Sequence, residues 1–317
     1  MKYIFVLITI TTSLFVRSTY AQSDNDSILY TKSVKSYDEK KFKKALTYIN
    51  QAIDKNGSKS TYYSFKGEIL YAINHDIDEL FSYLTKSVEV EPSSPYPLIN
   101  RAYFYEQITE IQNAILDYND ALKLAKEDST IVSIYINRGG LLNKIQKNEL
   151  AYEDLSKAYQ MDSNNIGLLN NYALCLEDLG KKQEAKKTLL RMIEIDSLFV
   201  PAWMNLGFQA SLRSEFDDAL KYLNKADELE PNQPYTLNNR GYVKMKLNDL
   251  NGALEDINRS IEIDSQNSYA YRNKALVYIE KEDLDLACEN LYLSKKYGFS
   301  IYYGNEIEEL IKKHCIK

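Results

Sequence analysis

The stretch VPAWMNLGFQASLRSEFDDALKYLNKADELEPNQ, residues 200 to 233, decides the fold of this chain. In its first half, small and apolar residues follow the i, i+3, i+4, i+7 spacing of one helix face, at Trp203, Leu206, Gly207 and Ala210. In its second half a similar face runs through Phe216, Ala219, Leu220, Leu223 and Ala226. Pro231 ends the second helix, because proline cannot donate the next backbone hydrogen bond. The stretch therefore predicts two helices, A and B, joined by a short turn.

The same pattern recurs along the chain with a period of 34 residues. Small residues of helix B stand at Ala151, Ala185, Ala219, Ala253 and Ala287, with Ala45 and Ala114 in the same role earlier. A second series lies 12 residues before the first, at Gly139, Ala173, Gly207, Gly241 and Ala275. A fixed period of this size indicates a repeat array. Eight units are predicted, at about 26–59, 60–94, 95–131, 132–165, 166–199, 200–233, 234–267 and 268–299.

The unit resembles the tetratricopeptide repeat, whose small and large positions it matches at Trp203, Leu206, Gly207, Ala219, Leu223, Ala226 and Pro231. The resemblance implies an all-α, right-handed superhelical solenoid of about eight helix-turn-helix units. Residues 22–299 would form the array and residues 300–317 a C-terminal capping helix. Within a unit, Gly241 is predicted to face helix B opposite Ala253 and Ser260, where a missing side chain allows close helix packing.

Composition limits the classes of function. The chain has 317 residues, 44% of them hydrophobic and 26% charged, as in a globular protein. Its formal net charge of -6 argues against a nucleic-acid partner. The two histidines, His75 and His314, are far apart in sequence, so neither a metal cluster nor a histidine-based catalytic triad can be assembled. We therefore expect a non-enzymatic protein without a cofactor or metal.

The N-terminus has the features of a secretory signal peptide, residues 1–21. Lys2 precedes an apolar stretch from Tyr3 to Val16, and the small residue Ala21 precedes Gln22. The apolar stretch is shorter than the roughly 20 residues of a membrane-spanning helix. An uncleaved N-terminal anchor is the alternative. We expect an exported bacterial protein, periplasmic or associated with the cell envelope, or secreted.

Asparagine occupies the sixth position of six successive units, at Asn100, Asn137, Asn171, Asn205, Asn239 and Asn273. Helix propensity does not explain this choice. In tetratricopeptide repeats this position lines the concave surface, so the resemblance implies a ladder of amides that grips the backbone of an extended peptide. A primary amide suits that role, because it offers both a donor and an acceptor. The alternative is that these amides only cap or bridge neighbouring helices.

The positions beside the ladder are apolar and rich in tyrosine. Those selected as candidate contacts are Tyr96, Tyr103, Phe208, Tyr235 and Tyr242. Tyrosine gives a large contact area at a small entropic cost. The sequence thus predicts a scaffold that binds a protein or peptide partner. Two other functions stay open: binding of a glycan or small ligand by the same tyrosines, or an architectural spacer in an envelope complex.

Two of the three cysteines are placed to form a disulfide. Cys288 lies ten residues before the predicted turn at Gly298 to Asn305, and Cys315 lies ten residues after it. Two antiparallel helices joined there bring the two residues level with each other. A bond would hold the closing helix on the array. The alternative is a pair of buried thiols, as expected for Cys175.

Overall fold

We describe a computed structural model of the chain, which covers residues 25–300 and 304–316. The predicted signal peptide therefore lies outside the described residues. Within them the chain forms seventeen helices and no strand. The helices are α1 (Asn25–Asp38), α2 (Phe42–Lys55), α3 (Ser60–Asn74), α4 (Ile77–Val90), α5 (Pro95–Gln107), α6 (Ile111–Leu124), α7 (Asp128–Lys144), α8 (Asn148–Met161), α9 (Ile166–Asp178), α10 (Lys182–Ile195), α11 (Val200–Leu212), α12 (Phe216–Leu229), α13 (Pro234–Lys246), α14 (Leu250–Ile263), α15 (Ser268–Glu280), α16 (Leu284–Lys296) and α17 (Glu306–His314).

The helices pack as successive pairs, each with an odd-numbered helix A and an even-numbered helix B, so the predicted all-α repeat solenoid is confirmed. Inside a pair, the small residues of helix B are fully buried. The alanines at 45, 114, 151, 185, 219, 253 and 287 all have 0% exposure. Because an alanine adds only one methyl group to the helix surface, the two helices of a pair approach closely at these positions.

The described chain divides into two compact units. One holds residues 25–163 with helices α1 to α8, and the other holds residues 164–300 and 304–316 with helices α9 to α17. The boundary falls between the fourth and fifth predicted repeats. Periodicity alone does not reveal such a division, since the 34-residue step continues through it.

Glycine at the eighth position of helix A allows direct contact with helix B. A Cβ atom added to Gly241 would lie 2.6 Å from Ile257 Cγ1 and 3.0 Å from the carbonyl oxygen of Ala253. Helix B is therefore the neighbour of Gly241, as predicted, but the residue opposite is Ile257 rather than Ser260. The Ser260 hydroxyl instead donates a hydrogen bond to the Pro234 carbonyl oxygen at 2.8 Å. A serine one turn farther along meets the first turn of α13.

Each of the eight turns between helices A and B contains one residue in the left-handed region. These residues are Lys40, His75, Thr109, Gln146, Gly180, Ser214, Asn248 and Glu282, with φ between 56° and 74°. Only one of them is glycine, the residue that tolerates this conformation best. The recurrence at one place in every repeat indicates that helix packing imposes the turn conformation regardless of the residue present.

Three repeats share an ion pair between the seventh position of helix A and the middle of helix B. The pairs are Arg101 with Asp117, Arg138 with Asp154 and Arg240 with Asp256, each with two nitrogens 2.7 to 2.8 Å from the two carboxylate oxygens. The aspartates are buried. Bidentate pairing fixes the guanidinium plane, so these contacts set the relative position of the two helices.

The last helix closes the 164–316 unit. Ile307 and Ile311 of α17 are buried against Ala275, Leu291 and Phe299. Cys288 and Cys315 are joined by a disulfide, with Cα atoms 5.6 Å apart. The bond ties the end of α17 to α16, the arrangement that the spacing of the two cysteines predicts. Cys175, which is not part of this disulfide, is fully buried.

Candidate binding face

Helix α13 presents the most open set of predicted contact residues. Tyr235, Asn239 and Tyr242 are at positions two, six and nine of the repeat, so they share one side of the helix. Tyr235 keeps 36% of its surface exposed, and Asn239 and Tyr242 are half-buried. The opposite side of the helix is buried through Leu237 and Gly241. Helix α13 thus combines an amide and two tyrosines on its accessible side.

Helix α15 extends this side of the 164–316 unit. The Arg272 guanidinium lies 5.6 Å from the Tyr242 ring centroid and 5.7 Å from that of Tyr269. Arg272 also pairs with Glu306 of the closing helix. We call the set Tyr235, Asn239, Tyr242, Tyr269 and Arg272 the α13–α15 face. Arg272 was not among the residues predicted from the sequence. The sequence does mark it, because it is a charged residue at the fifth position of its repeat, where three other repeats carry Ile99, Ile136 and Met204.

Two members of the asparagine series join successive A helices. Asn205 Nδ2 donates to Asn170 Oδ1 at 3.1 Å, and Asn273 Nδ2 donates to Asn238 Oδ1 at 3.0 Å. Asn273 is fully buried. These two amides therefore bridge neighbouring helices, the alternative role considered for the series. Their acceptors, at position five of the preceding repeat, were not among the predicted site residues.

The other four members of the series differ in exposure. Asn171 is buried, with 8% of its surface exposed. Asn100, Asn137 and Asn239 are half-buried. Asn100 and Asn137 belong to the 25–163 unit, whereas Asn171 and Asn239 belong to the other. The half-buried members have the exposure that a ligand-contacting amide needs.

The predicted tyrosines of the 25–163 unit lie in a polar setting. The Tyr96 hydroxyl is 3.1 Å from Thr130 Oγ1 and 3.3 Å from Glu127 Oε2, so it connects α5 to the start of α7. Burial raises the pKa of Tyr103, and the charges of Glu68 and Glu106 raise it further. Tyr103 is half-buried. In the other unit, the remaining predicted contact, Phe208, has an exposure of 8%.

One cleft is lined by none of the five residues of this face. It has a volume of about 570 Å³ and is lined by residues of α12, α13 and α14, including Asp227, Arg240 and Asp256. Arg240 pairs with both of these aspartates, at 2.8 and 2.7 Å. The cleft is therefore lined by groups whose charges are already paired.

Among residues 25–300 and 304–316, no group of three or more His, Cys, Asp or Glu side chains could hold a metal ion. In the same part of the chain, no helix combines the length and apolar character needed to cross a bilayer.

Comparison with known sequences identifies the repeats. The family model described as tetratricopeptide repeat matches residues 166–197 and 234–267. A TPR repeat-containing protein of Methanocaldococcus jannaschii is 26% identical over 127 residues, which cover 38% of this chain and 22% of that protein. The match thus spans less than a quarter of that relative's length.

Comparison with solved structures identifies the fold. A tetratricopeptide repeat protein from Parabacteroides merdae is similar with a TM-score of 0.55 and 15% identity, over 90% of this chain and 97% of that chain. PilF of Pseudomonas aeruginosa matches with a TM-score of 0.57 and 21% identity, over 69% and 96%. The Cut9–Hcn1 complex of APC/C matches with a TM-score of 0.65 and 16% identity, over 94% and 57%. At these identities the likeness concerns the fold alone.

Proposed function

We propose that this chain, a tetratricopeptide repeat protein, is a non-enzymatic scaffold that binds an extended segment of a partner protein along the exposed sides of its A helices. The observation that carries the proposal is the α13–α15 face. The exposed ring of Tyr235 offers surface to side chains, and Asn239 offers a donor and an acceptor to a peptide group.

The asparagines divide between two roles in this proposal. Asn205 and Asn273 hold neighbouring A helices at a fixed distance through their bonds to Asn170 and Asn238. Asn239 contacts a ligand on the 164–316 unit, and Asn100 and Asn137 offer the same groups on the 25–163 unit. Stacked helices lie roughly 8 to 10 Å apart, and an extended chain advances about 3.3 Å per residue. Asn100 and Asn137, on adjacent repeats, would therefore meet the ligand about three residues apart.

Peptide binding accounts for the tyrosines better than glycan stacking does. The Lys246 ammonium and the Arg272 guanidinium lie 5.5 and 5.6 Å from the Tyr242 ring centroid. Both cations compete with a sugar ring for the faces of this tyrosine. A peptide can instead use the tyrosine hydroxyl and the adjacent amide of Asn239. Competition with soluble oligosaccharides tests the difference, since a peptide binder keeps its partner in their presence.

The binding test uses a triple variant and a matched control. Tyr235→Ala, Asn239→Ala and Tyr242→Ala remove the accessible side of α13. The control carries Asn251→Ala on α14 and Tyr292→Ala on α16, which are exposed residues of B helices. Affinity for peptides selected from a random linear library should fall by at least about tenfold in the triple variant, at about 1 kcal/mol for each lost contact. Equal affinities of wild type, triple variant and control would exclude this face as the site.

We also propose that the protein is exported. The N-terminal sequence supports this, and so does the Cys288–Cys315 disulfide, because disulfides persist mainly in oxidising compartments. Mass spectrometry of the protein from an envelope fraction tests the cleavage. A mature N-terminus at Gln22 is expected, and an intact Met1 in that fraction would favour a retained anchor.

A further inference from the structure

The first repeat carries the densest group of positive charge in the described chain. Residues 32–44 contain six lysines, at positions 32, 35, 40, 41, 43 and 44, against only Asp38 and Glu39. The whole chain, by contrast, has 39 basic and 45 acidic residues. The six lysines come from the last turns of α1, the following turn and the first turn of α2. All six are exposed.

Side-chain contacts show that these lysines form one cluster. Lys32 and Lys44, from different helices, lie 6.0 and 5.9 Å from the Tyr48 ring centroid. Lys41 pairs with Glu39 at 2.7 Å. The hydrogen bond from Lys41, and then the charges of Lys35 and Lys44, lower the pKa of Glu39. Four of the six lysines thus interact with one tyrosine or one carboxylate, and we call all six the first-turn lysine cluster.

The backbone under the cluster is held in place. Lys40 is the left-handed residue of this turn, with φ of 59°. The rings of Tyr37 and Phe42, on either side of the turn, are 5.2 Å apart and pack edge to face. Because the turn is packed on both sides, the lysines project from a fixed corner of the repeat. The corresponding turn of the second repeat has Asp76 and Asp78 instead.

We propose that the first-turn lysine cluster binds the surface of an anionic lipid bilayer. A lysine ammonium is a compact, hydrated point charge on a flexible stem, without the fixed fork by which arginine reads a planar group. Six such charges suit a fluid array of mobile anionic head groups better than a fixed constellation on a folded partner. Tyr48 fits the same surroundings, because tyrosine is favoured at the boundary between water and lipid.

This inference is independent of the peptide-binding proposal, which concerns other helices. It also needs no membrane-spanning segment. Electrostatic attachment of this kind positions a scaffold near a bilayer and weakens as salt rises, because exposed charges are screened. A cluster of exposed lysines accounts for such reversible attachment without a lipid anchor.

The test compares vesicles that differ only in charge. Full-length protein is sedimented with phosphatidylcholine vesicles, either pure or containing phosphatidylglycerol at about 30 mol%. The readout is the ratio of the two partition coefficients, since any apolar contribution of residues 1–24 is common to both. We expect a preference for anionic vesicles that declines between about 0.05 and 0.5 M salt.

Three variants localise the effect. Lys35→Gln, Lys43→Gln and Lys44→Gln together should reduce the anionic preference by up to about 100-fold, because each lysine near the surface contributes about a factor of five. Changing the same three residues to arginine should preserve the preference. The control Lys182→Gln, Lys187→Gln and Lys221→Gln removes the same charge from other exposed positions and should leave most of the preference.

Three outcomes would overturn the proposal. One is equal partition of the wild type into both vesicle types. A second is an equal loss in the control variant, which would assign the effect to net charge. The third is binding of a fluorescein-labelled oligonucleotide without any preference for anionic vesicles, which would assign the cluster to a nucleic acid. Circular dichroism of each variant verifies that the helices are intact.

Discussion

Replacing Gly241 by alanine tests the packing of a repeat, because two physical effects predict opposite results. Alanine is the better helix former by about 1 kcal/mol. However, its Cβ would lie 2.6 Å from Ile257 Cγ1, 3.2 Å from Ile257 Cδ1 and 3.0 Å from the Ala253 carbonyl oxygen. Ile257 is fully buried, so it cannot move into solvent. Helices α13 and α14 must therefore separate.

The expected change in the free energy of unfolding is the cost of overpacking minus the gain in helix propensity. Overpacking a tight core by one methyl group typically costs about 1 to 3 kcal/mol. The backbone contact to Ala253 places this site in the upper half of that range. After subtraction of the gain in helix propensity, Gly241→Ala should lower the free energy of unfolding by about 1 to 2 kcal/mol.

The chain supplies its own reporter for this measurement. Its single tryptophan, Trp203, lies on α11, in the same compact unit as Gly241. Urea unfolding followed by Trp203 fluorescence therefore reports on that unit. In an Ile257→Ala background, where the closest side-chain atoms are absent and only the contact with the Ala253 carbonyl oxygen remains, Gly241→Ala should lower the free energy of unfolding by less than in the wild type. A stabilising effect of Gly241→Ala in the wild-type background would refute close packing of α13 on α14.

Three further predictions concern turns, ion pairs and the disulfide. Thr109→Gly should raise the free energy of unfolding of the 25–163 unit by about 1 kcal/mol, because a β-branched residue has φ of 62° there; an unchanged urea midpoint would contradict this. Asp256→Asn should lower the free energy of unfolding of the 164–316 unit by about 3 kcal/mol, because it removes the carboxylate that pairs with Arg240. A decrease of less than about 1 kcal/mol would show that this ion pair contributes little to stability. Thiol titration of denatured, unreduced protein from an envelope fraction should find one free thiol, whereas three would show that Cys288 and Cys315 are reduced.

The helix pairs could be predicted because one constraint, close contact between helices A and B, recurs every 34 residues. This contact can be recognised in the sequence, because only small residues fit at Ala219, Ala253 and the equivalent positions. The family and the all-α class follow from the same pattern. Of the two residues predicted opposite Gly241, Ala253 is confirmed and Ser260 is wrong, because a one-turn error in helix register does not change the periodicity.

Other features depend on distances that periodicity does not encode. The Asn205–Asn170 bond spans two repeats and requires the spacing of their A helices. Left-handed turn residues such as Thr109 are chosen by the packing of both helices, against the preference of the residue itself. The first-turn lysine cluster is hidden by the chain's negative net charge, since an average over 317 residues conceals six nearby lysines.

Site-specific photocrosslinking tests the binding claim most directly. A photoreactive phenylalanine derivative replaces Tyr242 on the α13–α15 face or, as a control, Tyr292, an exposed residue of helix α16. After irradiation in cells, mass spectrometry identifies the attached peptide. If the α13–α15 face binds the partner, adducts form at position 242 with one linear segment of a partner protein and do not form at position 292. Adducts confined to position 292 would contradict it and favour a spacer that binds through its B helices.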